Sequence, residues 1–338
     1  MGGDHAPACV IEGAEIALRK YPNLRFIFVG DEERIRPLLE EHQSLASVSS
    51  ITHTNDTVSD EVKPSIALRQ GRKSSMQLAI NAVKKGEAHA VVSGGNTGAL
   101  MAMSKLALRM LEGIKRPAAA GLFPTATGEV VMLDLGANLE ADATELFQFS
   151  IMGDAYARAL LGKVTPTIGL LNVGEEDNKG HPEIREAAEL IRHSPLDLNF
   201  IGFVEGNDVP MGKVDVVVTD GFSGNVMLKT AEGTSKLIGQ HVKDAFNNNW
   251  VTKLSYLLAS KTMGNLKKLL DPRRYNGAMF LGLNGVAVKS HGGSDGYGFS
   301  HAIRTAVALL DNNANQRIID EMAKSGDNAK ASEAIDVA

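Results

Sequence analysis

The sequence predicts an α/β fold, a three-layer α/β/α sandwich with helices on both faces of a mostly parallel sheet. Three observations carry that expectation. Short β-branched runs each end in a Gly-rich polar turn and give way to a segment with apolar residues three and four apart, which is the βαβ grammar. The runs read as continuous Val, Ile and Leu, the mark of strands buried on both faces. The chain has 338 residues, 43% of them hydrophobic and 22% charged, enough apolar material for a large core.

The runs are, in order, Phe26 to Val29 before Gly30-Asp31, Ala90 to Val92 before SGGNTG, Val130 to Leu133 before DLGAN, and Ile168 to Leu171 before NVGEE. Phe200 to Val204 before EGND, Val214 to Val218 before TDGFSGN, and Val286 to Val288 before KSHGGSDG complete them. Between them, SSMQLAINAVKKGEA takes serine as its helix cap and stops at Gly86. NTGALMAMSKLALRMLEG runs from Asn96 or Thr97 to Gly113, ahead of Pro117. A long helical stretch follows Gly221. No internal repeat or Pro/Ser-rich linker divides the chain, so one catalytic domain is expected over 1–324, with a loose, small and polar tail over 325–338.

Composition narrows the function. The longest apolar stretches are interrupted well short of the roughly 20 residues a membrane span needs, and no cationic-then-apolar leader opens the chain, so a cytoplasmic protein is expected. The one cysteine, Cys9, excludes an internal disulfide and a CxxC metal site; among Ala8, Val10 and Ile11 it reads as a small buried hydrophobe rather than a nucleophile. Scattered histidines with no HExxH pair give no reason to expect a structural metal. A net charge of -5 argues against nucleic acid. Neither GxGxxG nor GxxxxGK[ST] follows a strand, so NAD and ATP lose ground. GGSDG at 292–296 fits the GxSxG elbow, but only His301 follows it as a histidine, too close in sequence for a triad base, and a chance match is the better reading.

In open α/β sheets ligands bind beyond the carboxyl ends of the strands, where Gly-rich turns present backbone N–H to oxyanions. Five turns here combine glycine with small hydrogen-bonding side chains: Ser93-Gly94-Gly95-Asn96-Thr97, Gly136-Ala137-Asn138, Asn172-Val173-Gly174, Asp220 to Asn225 including Ser223, and His291 to Asp295. They are expected to converge on one sheet edge. The opening MGGDHAP, with Gly2, Gly3, Asp4 and His5, is a sixth candidate wall. Lys179, in a loop beside a strand's carboxyl end, is the cation best placed to enter the crevice; for Arg69, Arg72, Lys73 and Lys229 a solvated surface role is the plainer reading.

Residues 246–274 break the charge balance, with six basic residues, Lys253, Lys261, Lys267, Lys268, Arg273 and Arg274, against Asp271 alone. Trp250, Leu254, Leu257 and Leu258, then Met263, Leu266, Leu269 and Leu270 beyond an expected break at Gly264, give apolar faces at helical spacing. This basic amphipathic helical insertion is either a core-facing helix pair or a surface that meets anionic lipid or an acidic partner.

Together these motifs resemble the phosphate acyltransferase family of bacterial phospholipid synthesis, the PlsX type. The resemblance is carried by MGGDHAP, KSSM at 73–76, SGGNTGALM at 93–101, GIKRPA at 113–118, LDLGAN at 133–138, LLNVGEE at 170–176, VVVTDGFSGNVMLKTAEG at 216–233, YNGAMFLGL at 275–283 and KSHGGSD at 289–295. It implies a fold related to isocitrate and isopropylmalate dehydrogenases and to phosphotransacetylase, a homodimer, and no metal or organic cofactor. It also implies peripheral membrane association through lipid or a membrane glycerol-3-phosphate acyltransferase. Members place a short strand ending Val-Asp-Ala before Met-Gly-Gly-Asp, where this sequence begins at the Met, which leaves open how firmly residues 1–7 are held.

The implied reaction is attack of inorganic phosphate on the thioester of a long-chain acyl-carrier protein, giving acyl phosphate. Expected phosphate and substrate contacts are Gly2, Gly3, Asp4, Ser93, Gly94, Asn96, Thr97, Asn138, Asn172, Asp220 and Ser223, with Lys179. Asn225 is the expected oxyanion donor, and His5 or His291 either tunes phosphate protonation or is structural. Trp250 and the six basic residues are expected to contact the carrier protein or membrane. A short-chain phosphotransacetylase using coenzyme A and a non-catalytic lipid-surface scaffold are the alternatives.

Overall fold

The computed structural model describes residues 1–269 and 271–336, without the side chains of 265–270 and 326–338. The side chains of Lys267, Lys268 and nearly all of the 325–338 segment therefore lie outside the described residues. Ten strands are found among those described: β1 (Phe26–Gly30), β2 (Ser49–His53), β3 (Ala90–Ser93), β4 (Ala118–Thr125), β5 (Gly128–Leu133), β6 (Thr167–Leu171), β7 (Asn199–Val204), β8 (Val216–Val218), β9 (Ala278–Leu281) and β10 (Val286–Lys289). All seven expected runs are strands; β2, β4 and β9 were not anticipated. AAAGLFPT and AMFL hold few of the β-branched residues that mark strands, and AAAGLFPT carries a proline.

The main sheet has the order β3-β10-β9-β4-β5-β8-β6-β7, while β1 and β2 pair in a sheet of their own. Pairing is parallel between β3 and β10, β5 and β8, β8 and β6, and β6 and β7. It is antiparallel between β10 and β9, β9 and β4, and β4 and β5. The sheet is mostly parallel, as expected, with an antiparallel centre built from two of the unanticipated strands.

Alternation along the strands gives the sheet two buried faces. Val131, Leu133, Val216 and Val218 face the Ala143–Leu161 helix, whose Phe149, Ile151, Met152 and Tyr156 are buried. Val130, Met132 and Val217 face the opposite side with Val209 and Val214. On that second face Ala119, Phe280 and Ala287 pack against Leu100 and Met103 of the Thr97–Leu108 helix and Ile80 of the Ser75–Lys84 helix. Helices on both sides of one sheet make the three layers. The Thr97–Leu108 helix stops short of Gly113 because Arg109 adopts a φ of 65° and Met110 bridges to Leu283. Residues of β1 and β3, with Met1, Gly2 and Phe299, line a cavity of about 90 Å³.

The Gly221–Asn247 helix runs out of the body and is followed by the Trp250–Leu258 and Ser260–Leu269 helices. The break falls at Ala259, not at Gly264, which lies inside the last of these helices. Trp250 is 77% exposed and Leu258 82%, with Leu237, Ile238, Leu254 and Leu257 also open, so this arm does not face the core. Among the described residues no helix is long and apolar enough to cross a membrane.

Candidate functional site

The three antiparallel steps between β10 and β5 reverse the strand sense, so the expected convergence of the turns on one sheet edge does not occur. The turns after β3 and β10 leave one edge, and those after β5, β6 and β8 leave the other.

At the first edge MGGDH meets both neighbouring turns. A Cβ on Gly2 would lie 2.7 Å from Gly95 Cα. Gly3 has a φ of 99°, and a Cβ there would lie 2.8 Å from the Gly292 carbonyl, so this close backbone packing needs glycine. The Asp4 N–H donates to the Gly292 carbonyl at 2.9 Å. Residues 2–4 are thus tied into the edge. The Ser93 hydroxyl accepts from Gly95 N–H, and His291 Nδ1 accepts from Gly293 N–H, while the His5 side chain is exposed. Asn96 is fully used by the chain: its Oδ1 caps Ala99 N–H, and its Nδ2 donates to the carbonyls of Ser59, Asp60 and Val62. Thr97 begins the helix that Asn96 caps.

Sequence reasoning missed Lys289 at this edge. Its Nζ donates to the Gly94 carbonyl at 3.1 Å and also to the Ser290 carbonyl. Burial pulls its pKa down to about 8, against the opposing pull of Asp60 and Asp4. The available signal was alternation, since Ala287 and Lys289 share the β10 face opposite Val286 and Val288.

At the second edge the organiser is Asp134, also missed. It is buried, and its carboxylate accepts from the N–H groups of Ala119, Gly136, Ala137 and Asn138 and from Asn138 Nδ2. Burial still holds its pKa above the usual carboxylate range. Asn138, the expected substrate contact, spans Asp134 and the Pro117 carbonyl. Asp220 caps the next helix through Ser223 N–H and also accepts the Ser223 hydroxyl. That helix starts hard against the turn, where a Cβ on Gly224 would run into the Asp134 carbonyl oxygen. Asn225 is thereby set beside Gly136, exposed, with its amide unbonded among the described residues.

Across the same edge, Asn172 Nδ2 donates to the Lys179 carbonyl at 3.2 Å, and its buried Oδ1 has no partner. The Lys179 stem lies over Gly174, and its exposed ammonium makes no hydrogen bond or ion pair among the described residues. The two candidates weighted highest, Lys179 and Asn225, therefore share an edge, away from Gly2, Gly3 and His5.

The chain matches the family model described as Fatty acid synthesis protein over residues 1–317. It is 58% identical over 324 residues to the Phosphate acyltransferase of Rhodospirillum centenum, covering 96% of this chain and 91% of that protein. It is 55% identical over 321 residues to the Phosphate acyltransferase of Paramagnetospirillum magneticum, covering 95% and 92%. The chain belongs to the phosphate acyltransferase family. This member of the family is therefore an acyltransferase acting with phosphate. Among solved structures its fold is similar to a phosphotransacetylase from Streptococcus pyogenes, with a TM-score of 0.60 at 18% identity over 90% of this chain and 92% of that one. A branched-chain phosphotransacylase from Enterococcus faecalis gives a TM-score of 0.51 at 13% identity, over 85% and 99%.

Other sequence readings find plain roles in this family member. Ser294 of the GxSxG match is buried and bonded to Asn276 Nδ2 and Ser290 Oγ, with His301 turned to the Tyr297 ring. Cys9 is buried, and burial raises its thiol pKa. Of the basic stretch, Trp250, Lys253 and Lys261 lie exposed on the arm. Arg273 instead returns to the body, where it pairs with Asp271 and Asp295 and stacks on Tyr297, and Arg274 lines a small cavity with His301 and Arg304.

Proposed function

We propose that this acyltransferase moves a long-chain acyl group from its thioester on an acidic carrier protein to inorganic phosphate, for phospholipid synthesis. Membership of the phosphate acyltransferase family is the observation that carries the reading. The two edges supply separable tasks. Gly2, Gly3, Ser93 and Gly94 form a backbone cradle for phosphate at the first edge, braced by the Asp4 N–H on the Gly292 carbonyl, with His5 and His291 at its rim. Asn225 and Lys179 have unengaged polar heads at the second, suited to the acyl carbonyl. For reaction the acyl carbonyl must be brought from the second edge against the phosphate held at the first; one phosphate oxygen then attacks that carbonyl carbon, and the charge developing on the carbonyl oxygen is met by Asn225. The intermediate collapses as the C–S bond breaks, and the thiolate leaves and takes a proton from solvent. Phosphate is already anionic, so no covalent acyl-enzyme is needed; fixing its geometry can supply several kcal/mol of the barrier.

The exposed arm, with Trp250, Lys253 and Lys261, suits an acidic carrier surface or an anionic membrane, where a membrane glycerol-3-phosphate acyltransferase would consume the product. The apolar face of the arm suits a homodimer. The test is incubation with phosphate and either palmitoyl-carrier protein or palmitoyl-coenzyme A, trapping acyl phosphate with hydroxylamine. Hydroxamate from the carrier substrate is expected. Turnover with coenzyme A alone would move the assignment to a phosphotransacetylase, and no product from either donor would overturn both.

A further inference from the structure

Buried charges in proteins normally meet an opposite charge, because leaving one unneutralised in a low-dielectric site is costly. Lys289, half-buried at the end of β10, departs from that rule. Its contacts are two carbonyl oxygens, and it forms no ion pair among the described residues, although Asp4 and Asp60 act on it from farther away. An ammonium has three donors, so one remains after Gly94 and Ser290 are served. Around it, MGGDH and the two Gly-rich turns pack backbone on backbone. Among the described residues the N–H groups of Gly3, Gly94 and Gly292, one from each segment, carry no hydrogen bond. One free cationic donor thus sits among three segments that each carry a free backbone donor.

We propose that Lys289 is the phosphate-binding cation of this acyltransferase, holding inorganic phosphate with the backbone N–H groups of Gly3, Gly94 and Gly292. The assignment rests on the reading of phosphate as acyl acceptor and deepens it. Lys179, at the other edge, is left to the acyl carbonyl or the departing thiolate. The depressed pKa fits an ammonium that awaits its counter-ion: bound phosphate supplies the charge that Asp4 and Asp60 do not bring into contact. It also explains the lock on the Gly94 carbonyl, which fixes the cation against the turn whose N–H it shares with the ligand.

The test is titration calorimetry with inorganic phosphate alone, followed by steady-state kinetics. Lys289→Gln keeps hydrogen-bonding capacity and removes the charge. It is expected to weaken phosphate binding about 10- to 100-fold, the equivalent of one charge-assisted hydrogen bond at about 1.5–3 kcal/mol. The KM for phosphate should rise in step while the KM for the acyl donor stays within about two-fold. Lys289→Arg, which retains charge, should bind more tightly than the Gln variant. A purely structural lysine would instead lower the melting temperature and raise both KM values together. Phosphate binding by Lys289→Gln within two-fold of the native protein, or no phosphate binding by the native protein, would overturn the assignment. If phosphate binding depends on Lys289 yet no donor yields acyl phosphate, the anion site stands and the acyl-transfer reading falls.

Discussion

Asp134→Asn isolates the feature that shapes the second edge. Asp134 Oδ1 accepts from Ala119, Gly136 and Ala137 N–H at 2.9, 3.1 and 2.9 Å, and Oδ2 accepts from Asn138 N–H and Nδ2 at 2.7 and 2.9 Å. An asparagine can keep its one oxygen on the first three donors, but its NH₂ then faces the last two, donor against donor. Each orphaned buried donor costs about 1–3 kcal/mol. Burial pushes the Asp134 pKa up against these hydrogen bonds, so removing the charge returns part of the loss. The net expectation is a destabilisation of about 3 kcal/mol. At about 2.1 cal/mol/K per residue, unfolding a chain of 338 residues carries an entropy near 0.7 kcal/mol/K, so the melting temperature should fall by about 4 °C. The Gly221–Asn247 helix starts on this turn, so Asn225 should shift with it. Hydroxamate formation at a temperature where both proteins are folded should drop about ten-fold or more, in keeping with the sensitivity of catalysis to small misplacements. Scanning calorimetry and the hydroxylamine assay read the two effects. A melting shift below 1 °C would refute the account of Asp134 as the turn's organiser, and a normal rate in a destabilised protein would detach the turn from the chemistry.

Three further outcomes are expected. Asn225→Ala and Lys179→Ala should each lower turnover, the first about 100-fold if its amide meets the oxyanion, at roughly 3 kcal/mol per lost donor. Neither should shift the melting temperature by more than about 1 °C, since neither head group bonds to the chain; unchanged rates would remove them from the site. Lys289 has a folded pKa of about 8, below its unfolded value, so between pH 8 and about 10 the unfolded chain binds more protons and stability rises with pH. Urea denaturation across that window should show a more positive slope for the native protein than for Lys289→Gln, and equal slopes would contradict the lowered pKa of that ammonium. Reversing Lys253 and Lys261 together to Glu should weaken pelleting with anionic vesicles or affinity for the carrier protein, and loss of neither would exclude the arm as a basic contact.

The layers were legible because the strands buried on both faces are the β-branched runs, and local composition reports those well. Strand direction was not legible, and two strands account for that. AAAGLFPT is too rich in small residues, and AMFL too short and unbranched, to be separated from loop by composition, yet β4 and β9 reverse the sheet between its two parallel parts. A reader who sees only β3, β10, β5, β8 and β6 assigns them one sense and gathers their turns at one edge. The same limit governs the polar residues. Asn96, Asn138 and Asp220 stand at strand ends, as ligand contacts do, but capping and turn-bracing ask for the same residue types at the same places. What separates a brace from a contact is whether its hydrogen bonds are already made, and that depends on segments distant in the chain: residues 59–62 for Asn96, and Pro117 for Asn138. Applied evenly, the criterion lowers Asn96, Asn138, Asp220 and Ser223, keeps Lys179 and Asn225, and raises Lys289. A lysine at a strand's last position reads as a solvated end until β3 and MGGDH are packed around it. The residues best fitted to meet a ligand are those whose donors the folded chain leaves unused.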